Sequence, residues 1–239
     1  MNEGVLKQSS EPKKERMQKV IDSGYLETHR FMLPKNPELL DRLHKLQEIV
    51  GEMKAEDPAV VSFALKGSFI KGYAAKESDI DGALIVDGEK AIEHFRKLGL
   101  LGEDEAWSVT EFNRHYNDRM RTAMQERLGM DRHQTEHAYT EIVSKHYLLK
   151  LCQGDIYEID TLQPFFMMAV GSSDIREYRK IILDALDEQG ERGEEKWRRI
   201  MENLHRNERS DIDGYSEVGG YKNHDKYPDT IGKARTYFL

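Results

Sequence analysis

Asp79 and Asp81 are separated by one apolar residue and stand ten residues behind a Gly-Ser pair, Gly67-Ser68. Carboxylates two apart on an extended strand project to the same face. Their like charges oppose one another unless a cation lies between them, and hard oxygen donors of this kind suit Mg²⁺. Gly67 has no side chain, so its backbone can approach a phosphate closely. Ser68 falls where a helix should begin, and a helix start offers free N–H groups and a positive dipole end to an anion such as a triphosphate. Lys71, about one turn further on, adds a positive charge, although a surface lysine is the plainer reading of that residue. The pattern is a phosphate cradle beside a dicarboxylate metal site.

Elements of definite type must hold these groups. The apolar run Val60 to Leu65 reads as a strand entering the Gly-Ser turn, followed by a short helix, a connector and a second strand from Ile80 to Val86. The whole stretch Gly67 to Val86, GSFIKGYAAKESDIDGALIV, resembles the signature of the DNA-polymerase-β-like nucleotidyltransferase superfamily. That resemblance implies an α+β fold, a small mixed β-sheet flanked by helices, here continued by a helical C-terminal extension. It also implies a Mg²⁺-dependent enzyme (two ions, with Mn²⁺ able to substitute). Such an enzyme moves a nucleoside monophosphate from an NTP, ATP being the expected one, to an acceptor hydroxyl and releases pyrophosphate.

By the same resemblance Gly67, Ser68 and Lys71 bind the β- and γ-phosphates, Asp79 and Asp81 hold both ions, and a later strand supplies a third carboxylate. Asp160 is chosen for that role, because it lies between Ile159 and Thr161 within an expected strand where an aspartate is unfavourable without a purpose. Glu158 shares its face and is held in reserve, while Asp155 falls at the turn and suits a turn former. An edge strand with Asp160 solvated is the plain alternative. The chain departs from the family's pattern at Lys71, where arginine is frequent, and at Gly82, where an apolar residue usually follows the second aspartate.

Around this centre the expected order runs as follows. A polar tail occupies residues 1–15, a catalytic core 16–170, a helical extension 171–210 and an irregular C-terminal tail 211–239. A short helix burying Met17, Val20 and Ile21 opens the core. Asn36-Pro37-Glu38 reads as an N-cap, an N1 proline and a first-turn acid for an amphipathic helix from Pro37 to Met53. Asp87-Gly88 marks a turn before a helix carrying Ala91, Ile92, Phe95 and Leu98. Ser108 and Glu111 form a capping box for a helix that buries Phe112, Tyr116, Met120, Ala123, Met124 and Leu128 and ends at Gly129. The first half of Thr135 to Lys145 leans to helix, and His146 to Leu162 reads as a hairpin turning at Gln153-Gly154. Helices follow from Asp174 to Gln189 and from Glu194 to Asn207.

Three other signals are weaker. HQTEH, from His133 to His137, matches an inverted zinc-peptidase pattern but also suits a solvated helix end. SDIDG recurs at residues 210–214, yet Asp211 and Asp213 have neither an upstream Gly-Ser pair nor an apolar strand behind them and read as a loop. Tyr215, Tyr221, Tyr227, Tyr237 and Phe238 read as aromatics that pin the tail to the body.

Composition narrows the partners. With 38% apolar and 33% charged residues the chain has globular character, and its single cysteine, Cys152, excludes an internal disulfide and suits a reducing, cytoplasmic setting. No apolar run is long enough to span a membrane. A net charge of −8 disfavours general nucleic-acid binding, so a small molecule or a protein is the expected acceptor ahead of RNA. The alternative function is a catalytically silent nucleotide-binding regulator.

Overall fold

The computed structural model describes residues 31–32, 36–71, 74–103, 105, 108–156, 158–208, 220–221 and 228–239. Helix α1 (Pro37–Glu56) begins where Asn36 accepts a hydrogen bond from Glu38 N at 2.9 Å, with proline at its first position. It delivers the chain to strand β2 (Val60–Lys66), the second strand after the two-residue β1 (Phe31–Met32). The four-residue α2 (Ser68–Lys71) and a connector lead to β3 (Asp81–Asp87). Three helices follow: α3 (Gly88–Lys97), α4 (Val109–Leu128) and the single turn α5 (Arg132–Thr135). The capping box of α4 is present at Ser108 and Glu111, and Gly129 ends the helix in the left-handed region at φ 63°.

Strand β4 (Ala138–Val143) comes next, then α6 (Lys145–Gln153), a 3-10 segment (Glu158–Phe166) and β5 (Met168–Val170). The chain continues through α7 (Ile175–Asp187), α8 (Glu191–Glu208), β6 (Gly220–Tyr221) and α9 (Ile231–Phe238). The fold is α+β. A mixed sheet of order β4-β3-β2-β5 is flanked by helices, and C-terminal helices complete it. Strands β2/β3 and β2/β5 are antiparallel, β3/β4 parallel; β1 and β6 form a separate antiparallel pair. Among the described residues no helix is long and apolar enough to cross a membrane.

Both faces of the sheet are covered, which explains why β2 and β3 read as nearly continuous apolar runs. On one face Phe63, Leu65, Leu84 and Val86 pack against Leu43, Leu46 and Val50 of α1 and Phe112, Tyr116 and Met120 of α4. On the other, Val61, Ala83 and Ile85 meet Leu148, Phe165, Tyr178 and Trp197. Asp87 joins the two halves: it caps α3 by accepting from Glu89 N and Lys90 N, and it also accepts from the buried Tyr178 hydroxyl. The fully buried Arg179 donates to the carbonyls of Phe165, Met167 and Phe238 and so ties α9 to the core. Phe238 stacks edge-on against Phe166 at 5.0 Å and Trp197 at 5.9 Å, the packing role expected of it.

Four expectations are corrected. His146 to Leu162 is not a hairpin. Ser144 caps α6 by accepting from Tyr147 N, and Leu148, Leu151 and Cys152 fall on one buried helical face. The returning segment is the 3-10 stretch, whose buried Ile159, Leu162, Phe165 and Phe166 pack inward at a three-to-four-residue spacing that mimics alternation over its first half. The helix expected in the first half of Thr135 to Lys145 is also absent; β4 lies there, with Ala138, Thr140 and Val143 buried and β3 as its parallel partner. Leu98, named among the residues of α3, is its C-cap and 57% exposed, and α9 occupies part of the stretch read as irregular. Residues 1–15, the helix on Met17, Val20 and Ile21, and Asp211, Asp213, Tyr215 and Tyr227 lie outside the described residues, as do the side chains of Lys71 and Tyr221.

Candidate metal and nucleotide site

Strand β2 ends at Lys66, directly opposite Asp81, the first residue of β3. The turn after Lys66 is made by Gly67 with φ 75°, a backbone conformation that residues with a Cβ adopt only with strain. The space a Cβ would need is already filled, because its position lies 2.1 Å from Asp81 Oδ2. Gly67 is therefore required twice: for the turn, and for the seating of the Asp81 carboxylate above it. Ser68 then starts α2, and its Oγ is closed off from solvent with no hydrogen-bond partner among the described residues.

Asp79 lies just before β3 rather than within it, but the ladder toward the neighbouring chain segment is already forming: Ile80 N donates to Gln134 O at 3.1 Å and Gly82 N to His137 O at 3.4 Å. These bonds place His137 beside the two aspartates. Its Nε2 is 3.7 Å from Asp79 Oδ2, and Asp79, Asp81 and His137 each offer a ligand atom within 4.8 Å of the others. Two carboxylates and an imidazole form a donor set that fits a divalent cation.

A cavity of about 580 Å³ opens from this point, lined by Lys66, Gly67, Asp81, Tyr139, Glu141 and Asp160 among others. Parallel pairing sets Tyr139 opposite Ala83 and Glu141 opposite Ile85, so the β4 side chains continue the line that begins at Asp81. Lys66 Nζ lies 5.1 Å from the centroid of the Tyr139 ring, a cation–π contact. Burial raises the proton affinity of the Glu141 carboxyl above the ordinary range, and burial together with the Glu141 charge does the same for the Tyr139 phenol.

Asp160 reaches this cavity from the 3-10 segment rather than from a strand. Its carboxylate accepts from Asn203 Nδ2 at Oδ1 and meets Arg199 Nη2 at 3.3 Å at Oδ2, so it ties α8 to the cavity wall. Glu158, the reserve, is exposed and lies against Gly154. Asp155 is exposed as well, and its carbonyl accepts from Glu158 N, as befits a turn. Lys71 closes α2.

Lys66, His137, Tyr139 and Glu141 are the residues that sequence reasoning passed over. His137 was visible only as part of HQTEH, but α5 spans Arg132–Thr135 alone, so the two histidines do not share a helix face. His133 turns to Glu136 at 3.7 Å and is 89% exposed, while His137 joins Asp79. The alternation Ala138, Thr140 against Tyr139, Glu141 carried a strand signal that could have found the other two.

No protein-family model matches the chain, and no curated protein and no solved structure matches it. The site rests on its own geometry: a mixed four-stranded sheet with helices, and an acidic group at Asp79 and Asp81 able to hold a metal ion with His137.

Proposed function

We propose that the chain is a metal-dependent nucleotidyltransferase, moving a nucleoside monophosphate from an NTP such as ATP to an acceptor hydroxyl. The observation that carries this reading is the seating of Asp81 over Gly67, which puts that carboxylate against the turn that starts α2. A divalent cation at Asp79 and Asp81 would neutralise phosphate charge as it redistributes during transfer.

The chain's own residues divide the remaining work. Gly67 seats the Asp81 carboxylate at the turn, Ser68 contributes its unpartnered hydroxyl, and Lys66 and Lys71 balance phosphate charge. The acceptor hydroxyl attacks the α-phosphorus; a new P–O bond forms, the bond to the β-phosphate breaks, and pyrophosphate leaves. The hydroxyl proton passes to a carboxylate in the cavity. Glu141 suits that role, since burial raises its proton affinity and it lines the same space as Asp81. Asp160 would act as a third ligand only while also accepting from Arg199 and Asn203, which already engage both of its oxygens. The cavity's size and the net charge of −8 support a small molecule or a protein side chain as acceptor over RNA.

The engagement of Asp160 favours one rival, a nucleotide-binding regulator without turnover. Incubation with α-labelled NTP and Mg²⁺ or Mn²⁺ across an acceptor panel separates the two. Label on an acceptor with equimolar pyrophosphate is the expected result; saturable NTP binding with no pyrophosphate from any acceptor supports the regulator.

A further inference from the structure

The proposed transfer reading asks for oxygen ligands of the Mg²⁺ type, and the structure supplies a nitrogen. His137 is brought to Asp81 by backbone pairing, through Gly82 N donating to His137 O, and its ring turns toward Asp79 rather than away. Ligands about 2.1 Å from a common ion stand roughly 3.0–3.4 Å apart at adjacent octahedral or tetrahedral positions. The 3.7 Å between His137 Nε2 and Asp79 Oδ2 is slightly wider than that, a gap that a small turn of the exposed ring closes, and it is longer than a hydrogen bond. The same Nε2 is 3.7 Å from Glu136 Oε1, so the imidazole sits among carboxylates without being bonded to any one of them.

The ring is 57% exposed and Asp79 35%, which leaves coordination positions open to water or a substrate oxygen. Nearby in the chain, one residue past the glycine on which Asp81 rests, Ser68 Oγ is shut off from solvent and has no partner among the described residues.

Mg²⁺ favours oxygen donors in near-ideal octahedral geometry and is reluctant to lose water, whereas imidazole suits first-row transition dications, whose affinity for mixed nitrogen and oxygen sites rises along the series from Mn²⁺. We infer that Asp79, Asp81 and His137 together form a binding site selective for a first-row transition dication over Mg²⁺, with His137 Nε2 as a direct ligand. The inference rests on the transfer reading only in placing a cation at the aspartates. It changes which ion the site prefers and makes His137 the residue that sets the preference.

Metal-stripped full-length protein, titrated with Mn²⁺ and with Mg²⁺ by calorimetry and examined as its Mn²⁺ complex by pulsed electron paramagnetic resonance, provides the test. The wild-type chain should bind Mn²⁺ at least about tenfold more tightly than Mg²⁺ and show nitrogen coupling from one imidazole. His137→Ala should lose the nitrogen signal and most of the preference while keeping Mg²⁺ affinity, whereas Glu136→Gln and His133→Ala should leave both unchanged. Circular dichroism shows that each variant is folded, as exposure of the three side chains leads one to expect. Mn²⁺ binding with no nitrogen coupling, or an unchanged preference in His137→Ala, overturns the inference and leaves the transfer reading standing. Failure of both ions to bind overturns both.

Discussion

The carboxylate of Asp81 rests on the α-carbon of Gly67, so closely that a methyl group there would stand 2.1 Å from Asp81 Oδ2. One residue at the end of β2 and one at the start of β3 are thereby locked into a single feature, and neither can change without the other. Gly67→Ala should act twice. Left-handed backbone at φ 75° costs a residue with a Cβ about 1–2 kcal/mol, and the displaced carboxylate should weaken divalent-ion binding. A lower melting temperature together with weaker Mn²⁺ binding is expected; an unchanged ion affinity would separate Gly67 from the site.

Asp79→Asn and Asp81→Asn bear on the metal group directly. Each removes one anionic group of the candidate metal site, and each should reduce the proposed nucleotide transfer by about a hundredfold or more. Because the substitution also relieves repulsion between neighbouring carboxylates, thermal stability without added metal should hold or rise. Transfer rates and melting curves measured side by side check both halves. Loss of activity accompanied by unfolding would point to a structural role.

Glu141 provides a pH signature. Burial raises its folded-state pKa above the ordinary glutamate value of 4.5. The folded chain therefore holds this proton more tightly than the unfolded chain. The associated stability is fully present below the unfolded value and is lost as pH rises through the raised one. Wild type should consequently lose stability relative to Glu141→Gln across that window, and the gap should be constant above it. Urea denaturation of both proteins at several pH values reads the difference; parallel curves would place Glu141 in full solvent contact. In the transfer assay Glu141→Gln should lower the rate at neutral pH with little change in NTP affinity.

Arg179 is the test of the tertiary scaffold. Its guanidinium serves the carbonyls of Phe165 and Met167, where the 3-10 segment passes into β5, and of Phe238 at the end of α9. Arg179→Met should cost about 3–5 kcal/mol, since buried acceptors lose a charged donor, and hydrogen exchange should show α9 released first. Exchange that leaves α9 as protected as the rest would mean that Phe238 and its aromatic neighbours hold it without the arginine.

Cys152 should be inert in the folded protein. The thiol is fully buried and its pKa is pushed up to about 11 by burial, against the partial help of Lys196. A thiol reagent at neutral pH should label it only as fast as the chain unfolds. Stoichiometric labelling without denaturant would show that α6 opens on its own.

Local sequence was sufficient wherever a residue's conformation depends on near neighbours. Asn36-Pro37, the Ser108/Glu111 box and Gly129 announce helix ends, because capping is a matter of hydrogen bonds within three or four residues. The apolar runs of β2 and β3 were legible because a strand buried on both faces has few other uses for such residues. The spacing from Gly67-Ser68 to Asp79 and Asp81 was legible for the same reason: it is a short loop returning to an adjacent strand.

Long-range pairing decided the rest. The alternation in Ala138 to Val143 is short and competes with the helical period of the residues before it, and the stretch becomes a strand because β3 offers a parallel edge with Ile85 opposite Glu141. That register, invisible in any window of sequence, brings His137 to the aspartates and Glu141 to the cavity. His146 to Leu162 satisfied both a strand and a helical period, and the capping hydroxyl of Ser144 with the buried face of α6 selected the helix. Asp160 came to the cavity by a different element from the one expected and was met there by Arg199 and Asn203 from α8. The chain alone determined which residue types would cluster, since their spacing is covalent; which partners complete the cluster was left to the fold, since a contact across tens of residues exists only once both elements are packed.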